Sequence, residues 1–290
     1  MSLTPEDSLR LALPKGRMQQ GVVALLEEAG IGVRLSDRGY RPRVNLLDTA
    51  TKILKPQNII EMLHVGSRDV GFAGADWVQE LGAELVLLCD TELDPVQIVA
   101  AAPKALVEDG KLPKRRIVVA SEYERLTRRW IASEGLDATF LRSYGATEVF
   151  PPEDADCIVD NTATGSTLRE NGLVIVSELM RSSTRLFANP RALEVPHKRE
   201  AIEGLVLVVR SVLEARKRVM IEVNVSAEAL ASVIETLPCM RMPTISPLSG
   251  GEAFAVKAAV PRDRLPTLIP ALKARGGTDI VVSKLTQIVA

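Results

Sequence analysis

Asp160-Asn161-Thr162-Ala163-Thr164-Gly165-Ser166-Thr167-Leu168 follows the apolar run Cys157-Ile158-Val159 and holds an acid, four hydroxyls and a glycine within nine residues. An apolar strand that opens into such a turn is suited to an anion. Glycine lets backbone N–H groups converge, and Ser166 and Thr167 add hydroxyl donors. If a helical turn starts near Leu168, its free N–H groups face the same place. The same residues also suit an ordinary hydroxyl-rich strand-to-helix cap.

Outward from this loop, short apolar runs alternate with amphipathic stretches. Strands are predicted at Leu9–Leu13, Val70–Ala73, Leu85–Cys89 and Gln97–Ala102, with helices at Met18–Ala29, Asn58–Leu63 and Asp76–Leu81. The pattern restarts with strands at Arg116–Ala120, Ala138–Leu141, Asp156–Val159 and Leu173–Leu179, and a helix at Glu122–Ser133. This alternation predicts an α/β fold with a mainly parallel sheet. Two lobes are expected, 1–110 with a return through 190–216, and 111–189, with a ligand cleft between them. From 217 to 290 the order becomes β-α-β-β-α-β, a small ferredoxin-like (ACT-like) domain.

Composition excludes several classes. A net charge of −1 provides no general attraction to nucleic acid or to an anionic membrane. Cys89, Cys157 and Cys239 are odd in number and lie in or beside apolar runs, which predicts buried thiols rather than a disulfide framework. The polar stretch Met1–Arg10 has no signal-peptide core, and no apolar run reaches membrane-spanning length, so a cytoplasmic protein is expected. His64 and His197 have no metal-ligand neighbours in sequence, and no serine elbow or Walker motif is present.

Two further strand-end loops have phosphate-compatible content. Lys15-Gly16-Arg17 precedes a predicted helix, where it equally suits a solvated turn, and Gly71-Phe72-Ala73-Gly74-Ala75-Asp76 is glycine-rich, although its glycines taken alone suit close packing better. Asp160 could orient a sugar hydroxyl or a Mg²⁺-bound water, since Mg²⁺ binds through few carboxylates plus substrate phosphate. Arg181 and Arg185 are read as following a strand end, where they would either reach phosphate or form surface charge.

The stretch Gly145-Ala146-Thr147-Glu148-Val149 through Ala155 to Asp160, then Thr164-Gly165-Ser166-Thr167-Leu168-Arg169-Glu170-Asn171-Gly172-Leu173, resembles the signature of the ATP phosphoribosyltransferases of histidine biosynthesis. Leu13–Arg17 and Asp69–Asp76 are similar to two further family segments. Pro243-Thr244, Pro247-Leu248 and Leu272–Gly277 resemble the regulatory domain of the long form. The resemblance implies a two-lobed, periplasmic-binding-protein-like catalytic part that transfers phosphoribosyl from phosphoribosyl pyrophosphate to N1 of ATP with Mg²⁺. It also implies histidine as feedback effector and a homo-hexamer built from dimers.

Carried onto this chain, the resemblance places Thr162, Ala163, Thr164, Gly165, Ser166 and Thr167 at the ribose 5-phosphate and Asp160 near ribose and metal. Lys15, Gly16 and Arg17 would lie beside nucleotide phosphates, while Gly71, Gly74 and Asp76 shape the nucleotide side. Thr244, Ser249 and Ala253 are the expected histidine contacts, within Met242–Ala255. The chain differs from many members in having Asn161 after the signature aspartate, Asn58 in place of an aspartate, and Met242 before Pro243-Thr244. On residue chemistry alone, a non-enzymatic binding module for a phosphorylated metabolite, or a phosphoribosyltransferase with another acceptor, fits as well.

Overall fold

The computed structural model describes residues 8–36 and 39–289; part of the N-terminal segment read for a signal sequence lies outside them. In chain order the elements are β1 (Leu9–Pro14), α1 (Arg17–Glu28), β2 (Val33–Ser36), β3 (Gly39–Val44), β4 (Thr49–Leu54), α2 (Pro56–His64), β5 (Val70–Gly74) and α3 (Ala75–Leu81). There follow β6 (Val86–Pro103), β7 (Ile117–Ser121), α4 (Glu124–Glu134), β8 (Ala138–Arg142), β9 (Cys157–Thr162), α5 (Ser166–Glu170), β10 (Leu173–Ala188) and α6 (Pro190–Glu194). The chain ends with α7 (Pro196–Lys217), β11 (Arg218–Ser226), α8 (Leu230–Thr236), β12 (Thr244–Pro247), β13 (Ala253–Pro261), α9 (Leu265–Ala274) and β14 (Thr278–Lys284). Two compact units result: residues 1–24 with 31–203, and 25–30 with 204–290.

The first unit is organised by one eight-stranded sheet in the order β4-β1-β5-β10-β6-β9-β7-β8. Each end is a parallel triplet, β4-β1-β5 and β9-β7-β8. Between them run β6 and β10, antiparallel to each other and to their neighbours β9 and β5. The sheet is therefore mixed rather than mainly parallel. Strand β5, VGFAG, is buried at every position, as expected of a strand covered on both faces. Gly71 lies in this strand, where an added Cβ would meet Ile59 Cγ2 at 2.9 Å and Ala12 Cβ at 3.0 Å, so close packing demands glycine.

The two predicted strands at Leu85–Cys89 and Gln97–Ala102 are one 18-residue strand, β6. The polar residues between them join the sheet because β10 supplies partners. Ser183 Oγ donates to Asp90 at 2.7 Å, Arg185 pairs with Asp90 at 2.9 Å, and Thr184 Oγ1 donates to Asp94 at 3.1 Å. The ladder absorbs the irregularity through register shifts along β10. Arg181 and Arg185 thus lie inside a 16-residue strand rather than after its end, and Arg181 pairs with Glu178 at 2.9 Å.

The second unit carries an antiparallel four-stranded sheet in the order β12-β13-β11-β14, the ferredoxin-like arrangement. Along β11, Val219, Ile221, Val223 and Val225 alternate inward and pack with Val233 of α8 and with Leu268 and Leu272 of α9. None of the three cysteines forms a disulfide; Cys89 and Cys157 are buried, and burial pushes the Cys157 thiol up to about 12. Among the described residues no helix is long and apolar enough to cross a membrane.

Candidate active site

Three strand ends of the first unit converge. The sequence of β9, Cys-Ile-Val-Asp-Asn-Thr, passes from three buried apolar residues to a half-buried Asp160 and an exposed Asn161. The strand leaves the core there, so its polar half is presented at its C-terminal end, where open α/β sheets bind ligands. Gly165 follows at φ +71°, a left-handed conformation that initiates α5. Its N–H donates to Thr162 Oγ1 at 2.9 Å, and the hydroxyls of Thr164 and Ser166 lie 3.0 Å apart. Arg169 Nη1 donates to Thr164 O at 3.0 Å and ties the turn from behind. Helix α5 has only five residues, so its dipole is small and the loop's own hydroxyls and N–H groups carry the anion affinity.

A cavity of about 320 Å³ opens on this loop, lined by Asp160 through Thr164, Ser166 to Leu168, Glu148 and Arg17. A second, of about 230 Å³, is lined by Lys15, Arg17, Met18, Pro56, Asp76, Trp77, Val96, Tyr123 and Asn161. Arg17 and Asn161 border both. Lys15 Nζ donates to Tyr40 OH at 3.1 Å and lies 4.9 Å from that ring's centroid, which holds the ammonium at the second cavity's rim. Gly16, at φ +83° with open space around its Cβ position, provides the turn between β1 and α1.

Asp76 is buried in the first turn of α3. Gly74 makes room for it: a Cβ there would fall 2.1 Å from Asp76 Oδ1. Ser182 Oγ donates to Asp76 Oδ1 at 2.7 Å and accepts from the Asp76 backbone N–H at 3.1 Å. Tyr123 OH donates to Asp76 Oδ2 at 2.8 Å, while Asn161 Nδ2 donates to Tyr123 OH at 3.2 Å and lies 3.2 Å from Asp160 Oδ1. The Tyr123 ring stacks on Trp77 with centroids 4.7 Å apart. Burial, with the Asp76 charge adding to it, pushes the Tyr123 hydroxyl well above its ordinary value, so it remains a donor.

Burial also raises Asp160, and the neighbouring carboxylates Glu148 and Glu122 add to the effect, against the N–H of Asn161; the result is about 6. Among the described residues no group of three or more His, Cys, Asp or Glu forms a metal cage. One carboxylate facing a phosphate loop nevertheless fits Mg²⁺ carried in on a polyphosphate, since that ion takes one or two protein carboxylates.

The structure thus gathers Lys15, Arg17, Asp76, Asp160 and the 162–167 loop around adjoining cavities, with Gly16 and Gly74 shaping their turns and Gly71 in the sheet. Tyr123, Trp77, Ser182 and Glu148 join them without having been assigned site roles from sequence; the one local signal for Tyr123 is its place two residues after the apolar strand Ile117–Ser121. In the second unit, Thr244 lines a cavity of about 310 Å³ with Met220, Cys239, Arg241 and Lys257 among others. Ser249 lies in the β12–β13 turn and Ala253 pairs with Ser226, both away from that lining.

Residues 55–211 match the family model for ATP phosphoribosyltransferase, and 215–287 match that of the HisG C-terminal domain. An ATP phosphoribosyltransferase of Pelotomaculum thermopropionicum is 34% identical over 288 residues, covering 97% of this chain and 99% of that protein. One from Koribacter versatilis is 35% identical over 286 residues, covering 97% and 99%. Among solved structures, the ATP phosphoribosyl transferase (HisG:HisZ) complex from Thermotoga maritima is similar at 26% identity and TM-score 0.61, covering 70% of this chain and 98% of that one. By sequence and fold, the chain belongs to the ATP phosphoribosyltransferase family, which performs the first step of histidine biosynthesis.

Proposed function

We propose that the 160–167 loop holds phosphoribosyl pyrophosphate and that the Asp76–Tyr123 cavity receives ATP, so that adenine N1 attacks the ribose C1 beside Asp160. The observation that carries this assignment is the adjacency of the two cavities, which share Arg17 and Asn161. In the displacement an N1–C1 bond forms, the C1–O bond breaks, and pyrophosphate leaves with the electron pair. Positive charge grows on the ribose ring meanwhile, and the ionised Asp160 lies on the side where it is stabilised. Adenine N1 carries no proton to remove, so no general base is needed, in keeping with a site built without histidine. Bound Mg²⁺, held by Asp160 and substrate oxygens, would neutralise the leaving pyrophosphate.

The loop's hydroxyls and N–H groups fix the 5-phosphate, Lys15 and Arg17 compensate the triphosphate, and the Asp76–Tyr123–Asn161 chain orients the two sides. The division into 1–110 with 190–216, 111–189 and 217–290 accompanies this reading. Histidine binding to the last part near Thr244, Ser249 and Ala253, a homo-hexamer built of dimers and a cytoplasmic location complete it.

The test is pyrophosphate release with Mg²⁺, ATP and phosphoribosyl pyrophosphate, omitting each in turn and then adding histidine. Release that needs both substrates and yields phosphoribosyl-ATP is expected, with suppression by histidine. Saturable binding without release would instead make the chain a binding module.

A further inference from the structure

At the other end of β4, the first unit has a pocket unused by the proposed reaction. Its volume is about 430 Å³, and its lining brings Arg41 and Arg43 of β3 together with Lys52 of β4 and Arg68, along with the hydroxyls of Thr49 and Thr51. Among the described residues, no carboxylate and no aromatic ring lines it. Arg68 is only 8% exposed, and its Nε has no hydrogen-bond partner. One bond from Nη1 to Ala50 O, at 3.3 Å, is what the guanidinium makes among the described residues. Thr51 Oγ1 beside it is likewise buried without a partner.

A buried arginine is normally paired, because removing its charge from water is costly without an anion in reach. Asp69, the acid whose charge acts on Arg68, is already committed. Arg10 Nη2 holds it at 2.6 Å and Lys198 Nζ at 3.2 Å. The cluster consequently repels itself: the Arg68 charge, followed by burial and Arg41, holds the Lys52 ammonium below the ordinary lysine value. Two orphaned polar groups and unbalanced positive charge at one concavity are the complement of a compact polyanion.

The place is separate from the catalytic cavities. Strands β1 and β4 run parallel with Leu9 opposite Thr49 and Pro14 opposite Leu54, and the catalytic loop follows Pro14. Along the strand, Ala50 lies roughly 13 Å and Lys52 roughly 7 Å short of Leu54, and the pocket shares no lining residue with either catalytic cavity. We infer that the Arg41–Arg43–Lys52–Arg68 pocket is a second, non-catalytic binding site for a small polyphosphate anion. The absence of an aromatic ring makes the phosphate chain, rather than a base, the recognised part. The free inorganic anion and the tail of a nucleotide triphosphate share that chemistry.

The experiment is calorimetric titration of the full chain with inorganic triphosphate at fixed ionic strength. It is repeated with Arg41→Ala/Lys52→Ala, whose altered side chains are not deeply buried, and with Lys15→Ala/Arg17→Ala/Gly165→Val, which disables both catalytic phosphate subsites. More than one site per chain is expected, with the triple variant retaining one and the double variant losing that one or weakening it at least tenfold. Competition by ATP at the retained site would assign it to a nucleotide tail, and failure to compete would assign it to the inorganic anion; both support the proposal. Loss of all binding in the triple variant, an isotherm unchanged in Arg41→Ala/Lys52→Ala, or equal binding of sulfate would overturn it. Because the retained site is read with both catalytic subsites disabled, the outcome is independent of the catalytic assignment.

Discussion

The Tyr123 hydroxyl donates to the Asp76 carboxylate at 2.8 Å, joining residues 47 positions apart in a buried contact that faces the proposed ATP cavity. Tyr123→Phe leaves Asp76 with Ser182 as its remaining side-chain donor. Removing one donor from a buried carboxylate costs about 1–3 kcal/mol. Urea denaturation should register that loss, and steady-state kinetics should show the KM for ATP rising more than kcat falls. An unchanged KM for ATP would detach the pair from the acceptor site.

Asn161 is the amide through which Asp160 and Tyr123 are linked. Asn161→Leu should fold normally, since the residue is exposed, while kcat/KM falls about fivefold, the value of one hydrogen bond near 1 kcal/mol. Loss of the amide donor should also move the acid limb of the pH–rate profile upward. A parent-like profile and rate would reduce the bridge to a structural detail.

Asp160 carries the pH dependence. Its folded-state value of about 6 exceeds the ordinary 3.8, so the folded chain keeps a proton that the unfolded chain has released. Stability therefore falls as pH rises from about 4 to 6, and the ionised form needed for turnover accumulates over the upper part of that window. Asp160→Asn should lower kcat by more than tenfold yet raise the melting temperature at pH 8, the gain shrinking below pH 6. Turnover within twofold of the parent would remove Asp160 from the mechanism.

Gly165 at φ +71° strains any branched side chain, and a Cβ would press on Arg169 Nη1 at 3.0 Å, the group that holds Thr164 O. A non-glycine residue in this conformation costs about 1–2 kcal/mol, so the loop should rearrange. Gly165→Val should weaken phosphoribosyl pyrophosphate about tenfold or more and leave ATP affinity intact. Calorimetry of each substrate separately checks this.

Asp69 anchors the first unit. Burial works against its charge, but the hydrogen bonds from Arg10 and the charge of Lys198 hold its carboxyl below 3.8. Asp69→Asn should destabilise by about 3–5 kcal/mol, since it strands a buried ammonium and a guanidinium. With a depressed folded value, the stabilisation is full above 3.8 and disappears as pH falls through that lower value. Denaturant midpoints of parent and variant should therefore differ most at pH 7 and converge progressively as pH is lowered below 3.8.

The apolar run ending at Val159, the glycine-hydroxyl loop after it and the valine alternation of Val219–Val225 all lie within short windows. Local periodicity and turn chemistry were enough to read them, and with them the α/β class and the ferredoxin-like unit, while the family came from the resemblance of the 145–173 stretch to a known signature. Strands β6 and β10 were read as shorter pieces because Asp90 and Asp94 resemble loop residues until Ser183, Thr184 and Arg185 arrive from some 90 positions away. The same holds for Asp76, whose partners Tyr123 and Ser182 lie 47 and 106 residues off, and for Arg68 among the cations of β3 and β4. Sequence by itself determined the strands whose apolar pattern is local, β9 and β11 among them, and the turn chemistry of the loop proposed for phosphate, because those properties reside in neighbouring residues. Only the tertiary structure decided which distant side chains satisfy a buried charge and which leave it unpaired, since desolvation acts on positions in space and not along the chain.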